Sequence, residues 1–156
     1  MRFVIDTNIV FSAILNPESP IGQIILNGSK YFTFLSIEQL KDEIECHEDK
    51  ILKISGLSQS EYFKIYGLIK SKIRFVNQLL INADIYQKAD ELTKDIDPDD
   101  LLFVGLSIQF RCKLWSGDKQ LINGISNKGF NQVITTEELF QLYLNRELKR
   151  KRIADK

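Results

Sequence analysis

The sequence predicts an α/β fold, a parallel sheet of four to five strands sandwiched between helices in three layers. Short runs rich in apolar, aromatic and β-branched residues recur along the chain, and segments of helical length separate them. No internal repeat, low-complexity tract or Gly/Ser linker interrupts that alternation. Parallel strands need crossover connections, and helical crossovers cover both faces of the sheet.

The first expected strand is "FVI" at 3–5, which runs directly into Asp6 and then into the helical segment "NIVFSAIL". The second is "YFTFLS" at 31–36, followed by a single expected helix over 37–51, "IEQLKDEIECHEDKI", whose buried stripe is Ile37, Leu40, Ile44 and Ile51. Ser58 with Glu61 has the spacing of a capping box, and it opens a helix expected to run to Phe75. "ADIYQKADELTK" follows as another helix. In "DPDD", Asp97 suits a cap, Pro98 the first helical position, and Asp99 and Asp100 the positive end of the helix dipole, so "DDLLFVGLSIQF" reads as a buried helix. "KLWS" at 113–116 and "QVI" at 132–134 are the remaining strands, and Thr135 or Thr136 with Glu138 starts the last helix.

At 156 residues, with 44% hydrophobic and 27% charged content, the chain suits one compact globular domain. Its bounds are expected at 1–146, with a basic tail at 147–156. Cys46 and Cys112 have no zinc, redox or disulfide spacing, and the apolar run "LLFVGLSIQF" is too short for a bilayer, so a cytoplasmic protein with no membrane contact is expected. Net charge is zero but uneven: "RELKRKRIADK" holds six Lys/Arg against Glu147 and Asp155, leaving residues 1–145 at minus four. A basic helix end can meet phosphates, but cations at a helix C-terminus also complement its dipole, and that account is preferred for the basic end.

Ligands of an open parallel sheet bind beyond the carboxyl ends of its strands, near the point where strand order reverses. Asp6 ends the first strand, Asp118 follows Trp115, Ser116 and Gly117 at the end of another, and Asp100 opens the helix before that strand. Each suits an N-cap, but capping alone does not predict that three such starts converge on one sheet edge. In the 37–51 helix, Glu43 falls roughly 80° from the centre of the buried stripe and can reach over the edge, while Asp42 points away. Glu38 and Glu45 project further toward water, Glu48 competes only if the helix continues that far, and a plain boundary glutamate explains Glu43 equally well. Four crowded carboxylates repel unless a cation sits among them; all-oxygen donors suit Mg²⁺ or Mn²⁺ and point to phosphodiester hydrolysis.

In order along the chain, "VIDTN", "LSIEQLKDEI", "DPDDLLFVGLS" and "LWSGDKQL" resemble the four acid-bearing blocks of the PIN domain, a nuclease fold of prokaryotic toxins and RNA-processing enzymes. The resemblance runs from Met1 to near Arg146. It implies Asp6, Glu43, Asp100 and Asp118 as the metal-binding cluster, Asn8 orienting Asp6 and its turn, and Ser116 as a hydroxyl bonding water or phosphate. Asp97 is an additional acid in that frame, although a cap is preferred for it. The resemblance further implies Mg²⁺- or Mn²⁺-dependent endoribonuclease activity on RNA, frequent homodimers, and, for the toxin members, a cognate antitoxin.

A phosphatase of the haloacid dehalogenase type needs a second Asp two residues after the first, where Asn8 stands. The P-loop signature is missing, and the single histidine, His47, excludes a histidine-pair ribonuclease and reads as a surface or boundary residue. The alternative from another class is a non-catalytic RNA- or protein-binding module of the same fold. Phe103 and Trp115 are expected in the core, Tyr62, Phe63 and Tyr66 are expected in packing or a dimer face in preference to base stacking, and Lys64, Lys70, Lys72 and Arg74 are candidates to flank a nucleic-acid groove.

Overall fold

A computed structural model describes residues 1–156. In chain order the elements are β1 (Arg2–Ile5), α1 (Thr7–Leu15), α2 (Pro20–Gly28), β2 (Thr33–Ile37), α3 (Gln39–Cys46), α4 (Glu48–Ser55), α5 (Gln59–Ser71), β3 (Ile73–Val76), α6 (Ala83–Thr93), α7 (Leu101–Phe110), β4 (Lys113–Trp115), α8 (Lys119–Asn127), β5 (Val133–Ile134) and α9 (Thr136–Ala154). A 3-10 turn at Pro98–Asp100 leads into α7. The five strands form one parallel sheet in the order β3-β2-β1-β4-β5.

That order decides where a ligand can sit. From β1 the chain builds outward through β2 to β3, then returns to the other side of β1 to place β4 and β5, so the switch point lies between β1 and β4. Pairing of Ile5 with Trp115 brings the next residues, Asp6 and Ser116, side by side at the carboxyl ends of those strands. The sheet is apolar on both faces: Phe3, Val4, Ile5, Phe34, Leu35, Leu114 and Trp115 are all buried in one core. Trp115 anchors its edge by donating from Nε1 to the Thr136 hydroxyl at 3.0 Å.

The expected caps form. Ser58 and Glu61 make the reciprocal capping box of α5, and the Thr135 hydroxyl accepts from the Glu138 N–H to start α9. Four features depart from the expected elements. The helix expected over 37–51 breaks at His47, whose ring Nδ1 bonds the Glu43 carbonyl at 2.8 Å while its N–H turns to Ile44. The helix expected to reach Phe75 stops at Ser71, and Ile73–Val76 becomes the edge strand β3, paired with Phe34–Ile37. α2 and α8 are helices the apolar pattern did not reveal. Ser19 caps α2 and Pro20 opens it, while Asp118 caps α8. The basic end is the last turns of α9, tied back where Glu147 pairs with Lys30 and accepts from the Tyr31 hydroxyl. No single helix is long and apolar enough to cross a membrane.

Candidate active site

Asp6 sits at the junction of β1 and α1, 3% exposed. Its extended backbone lets the carboxylate fold back as an N-cap, accepting from the Ile9 N–H at 2.9 Å. The nearby Ser116 hydroxyl and Asn8 N–H favour its charged form, yet burial, and behind it the Asp118 charge, pushes its carboxyl up to about 6. Asn8 presents its backbone N–H toward Asp6, while the residue itself is exposed.

Asp118 is fixed by the start of α8. Its Oδ1 accepts from the Gln120 and Leu121 N–H groups at 3.0 and 3.1 Å, and its own N–H donates to Ser116 Oγ. Ser116, fully buried, thus links Asp6 and Asp118 across the switch point. Asp97 and Asp100 come from the two ends of the Pro98–Asp100 turn. Asp97 caps it, accepting from the Asp99 N–H at 3.0 Å, and the tight turn carries Asp100 to the same side. Carboxylate oxygens of Asp97, Asp100 and Asp118 lie within 4.8 Å of one another. Burial raises the Asp100 carboxyl to about 7, and the charges of Asp6, Asp97, Asp118 and Asp99 add to the effect.

Glu43 stands outside that close trio and joins it through a neighbour. From α3 its Oε2 accepts from the Thr7 hydroxyl at 2.5 Å, and Thr7 directly follows Asp6. A cleft of about 440 Å³ runs over this junction, lined by Thr7, Asn8, Glu43, His47, Lys50 and Asp99 among others. A smaller recess of about 240 Å³ reaches Asp118 and Gly117, and Asn8 lines both. The structure therefore brings Asp6, Asp100, Asp118 and Ser116 together with Asp97, and sets Glu43 and Asn8 at the adjoining cleft.

Asp97 is both cap and cluster member; the sequence offered both roles and favoured the cap. Thr7 was not singled out from the sequence, although a hydroxyl in the first turn beside a strand-end Asp is the signal that would have found it. His47 and Lys50 line the cleft as well, for the helix break at His47 was not legible.

The donor set suits a hard divalent cation. Every donor is a carboxylate oxygen, and the chain's ion pairs, Lys30–Glu147, Lys41–Glu38 and Lys128–Asp95, all lie elsewhere. The cluster thus carries mutually repelling charges with no protein cation to offset them. The residues that could hold an ion are Asp97, Asp100 and Asp118, with Asp6 beside them.

Comparison with known proteins bears on the family and the fold. A family model described as the PIN domain matches residues 4–144. No curated protein matches the chain. Among solved structures, a chain in the crystal structure of VapBC2 from Rickettsia felis, bound to a DNA fragment from their promoter, superposes with a TM-score of 0.60 at 17% identity. The match covers 86% of this chain and 97% of that one, a likeness of fold. Since the family model runs from within β1 through the other four strands and into α9, the chain belongs to the PIN domain family.

Proposed function

We propose that the chain is a Mg²⁺- or Mn²⁺-dependent endoribonuclease that hydrolyses RNA phosphodiester bonds at the β1–β4 switch point. The observation that carries this reading is the trio Asp97, Asp100 and Asp118, with carboxylate oxygens within 4.8 Å, beside the buried Asp6 and without a protein counter-charge. A divalent ion bound by such a set supplies Lewis acidity toward phosphoryl oxygens and lowers the pKa of attacking water.

The chain's own groups supply position. Asp97 and Asp118 are held by backbone N–H groups of helical turns, so both present a fixed carboxylate without side-chain searching. Ser116 orients Asp6 and fixes the turn that carries Asp118. Thr7 occupies Glu43 Oε2 and leaves Oε1 free as an acceptor at the cleft. A cognate antitoxin is a further part of the proposal, supported by the fold shared with a chain of the VapBC2 complex. A homodimer remains an expectation of family membership, and size-exclusion with light scattering tests it.

The test is cleavage of unstructured RNA by the purified chain. Mg²⁺ or Mn²⁺ should support it, chelation should abolish it, and Asp118→Asn should lower it at least about 100-fold with the circular dichroism spectrum unchanged. Undiminished cleavage in that variant would reject the site. RNA binding without cleavage in either metal would favour the non-catalytic module instead.

A further inference from the structure

Beyond the acidic trio, the 440 Å³ cleft has a wall of a different kind. His47 closes α3 and opens α4, and Lys50 lies one turn further along α4, so the helix break directs both into the cleft. Lys50 makes none of the chain's ion pairs; its Nζ stands 5.9 Å from the centre of the Phe11 ring, which also lines the cleft. The His47 ring is fixed by its contact with the Glu43 carbonyl at 2.8 Å. A carbonyl only accepts, so Nδ1 carries the proton, and the neutral ring keeps Nε2 as its free lone-pair acceptor. Glu43 and Asp99, the acids of this cleft, lie toward the metal side, and Glu43 is already engaged by Thr7.

A cation and a lone-pair acceptor three residues apart match the two polar features of one ribonucleotide, an anionic phosphate and a 2′-hydroxyl donor. We propose that Lys50 and His47 form a ribonucleotide subsite beside the acidic cluster, Lys50 taking a backbone phosphate and His47 Nε2 accepting from the 2′-hydroxyl. The subsite rests on the ribonuclease reading and deepens it, because it makes the chain choose RNA over DNA outside the metal cluster.

The test compares a fluorescein-labelled ten-nucleotide oligouridine with its 2′-deoxy counterpart by anisotropy. Both are measured with EDTA in the Asp118→Asn background so that no strand is cut. The ribose strand should bind about five-fold tighter, the worth of one ordinary hydrogen bond. His47→Ala should bring that ratio to about one, a change that loss of a helix cap does not produce because both ligands meet the same fold. Lys50→Ala should weaken both strands alike and flatten the slope of log Kd against log salt by about 0.7, one phosphate contact on a single strand. Lys50→Arg should restore the slope. An unchanged ratio in His47→Ala together with an unchanged slope in Lys50→Ala overturns the subsite, while cleavage by the unmodified chain leaves the nuclease reading standing. If the unmodified chain neither binds nor cuts RNA, both fall together.

Discussion

Removing the charge of Asp6 should stabilise the metal-free protein, even though it removes a candidate metal ligand. The Asp6 carboxyl moves from 3.8 to about 6 because burial penalises its ionised form. A shift of about two units corresponds to about 3 kcal/mol carried by the native state once Asp6 is charged, and with 3% exposure there is little solvent to screen it. Asp6→Asn keeps an acceptor for the Ile9 N–H but points an amide NH₂ at another donor, which costs about 1 kcal/mol. The net gain of about 1–2 kcal/mol is about 2–8 °C in Tm for a chain of this size.

The sign with pH follows from linkage. The native state holds this proton more tightly than the unfolded chain, so stability from Asp6 is present below pH 3.8 and is lost as pH rises through about 6. The advantage of Asp6→Asn should therefore be full at pH 8 and fade between about pH 6 and pH 4. Scanning calorimetry in EDTA measures it, and added Mn²⁺ should reverse the order of the two proteins. A variant that melts below the parent at pH 8 in EDTA, or a gain independent of pH, would refute the buried-charge argument.

Three more outcomes follow from particular contacts. The hydroxyls of Tyr62 and Tyr66 are buried without a hydrogen-bond partner, so Tyr62→Phe should leave stability within about 1 kcal/mol of the parent or raise it in urea titration. A larger loss would reveal a partner. A Cβ on Gly22 would overlap the Pro17 carbonyl, so Gly22→Ala should cost more than about 2 kcal/mol by displacing the turn into α2. Thr7→Val releases Glu43 and should lower kcat about ten-fold while metal affinity at the trio changes less; unchanged kcat would remove Glu43 from the reaction.

The parts legible in the sequence were those where local chemistry and tertiary position coincide. Asp6, Asp100 and Asp118 each follow or precede a strongly apolar run and start a helix, so strand ends and helix starts could be read together. The phase of α3 offered Glu43 without separating it from an ordinary boundary glutamate, and the Thr7 hydrogen bond that sets it at the edge of the cleft is not visible in periodicity. The edge strand β3 was hidden because Ile69 and Ile73 continue the helical spacing of α5, and only pairing with β2 draws Ile73–Val76 into the sheet. The break at His47 rests on a ring-to-carbonyl bond that hydrophobic periodicity does not register. Asp97 joined the trio because a 3-10 turn, tighter than the α-helix expected from "DPDD", sets its carboxylate near that of Asp100.

Isothermal titration of Mn²⁺ at pH 6.5, in two buffers of different ionisation heat, tests the central claim most directly. At that pH, carboxyls near 6 and 7 together hold about one proton, and a cation entering the trio must displace it. Uptake of Mn²⁺ with release of about one proton is the predicted result. A folded chain that takes up neither Mn²⁺ nor Mg²⁺, with or without RNA, would contradict the account.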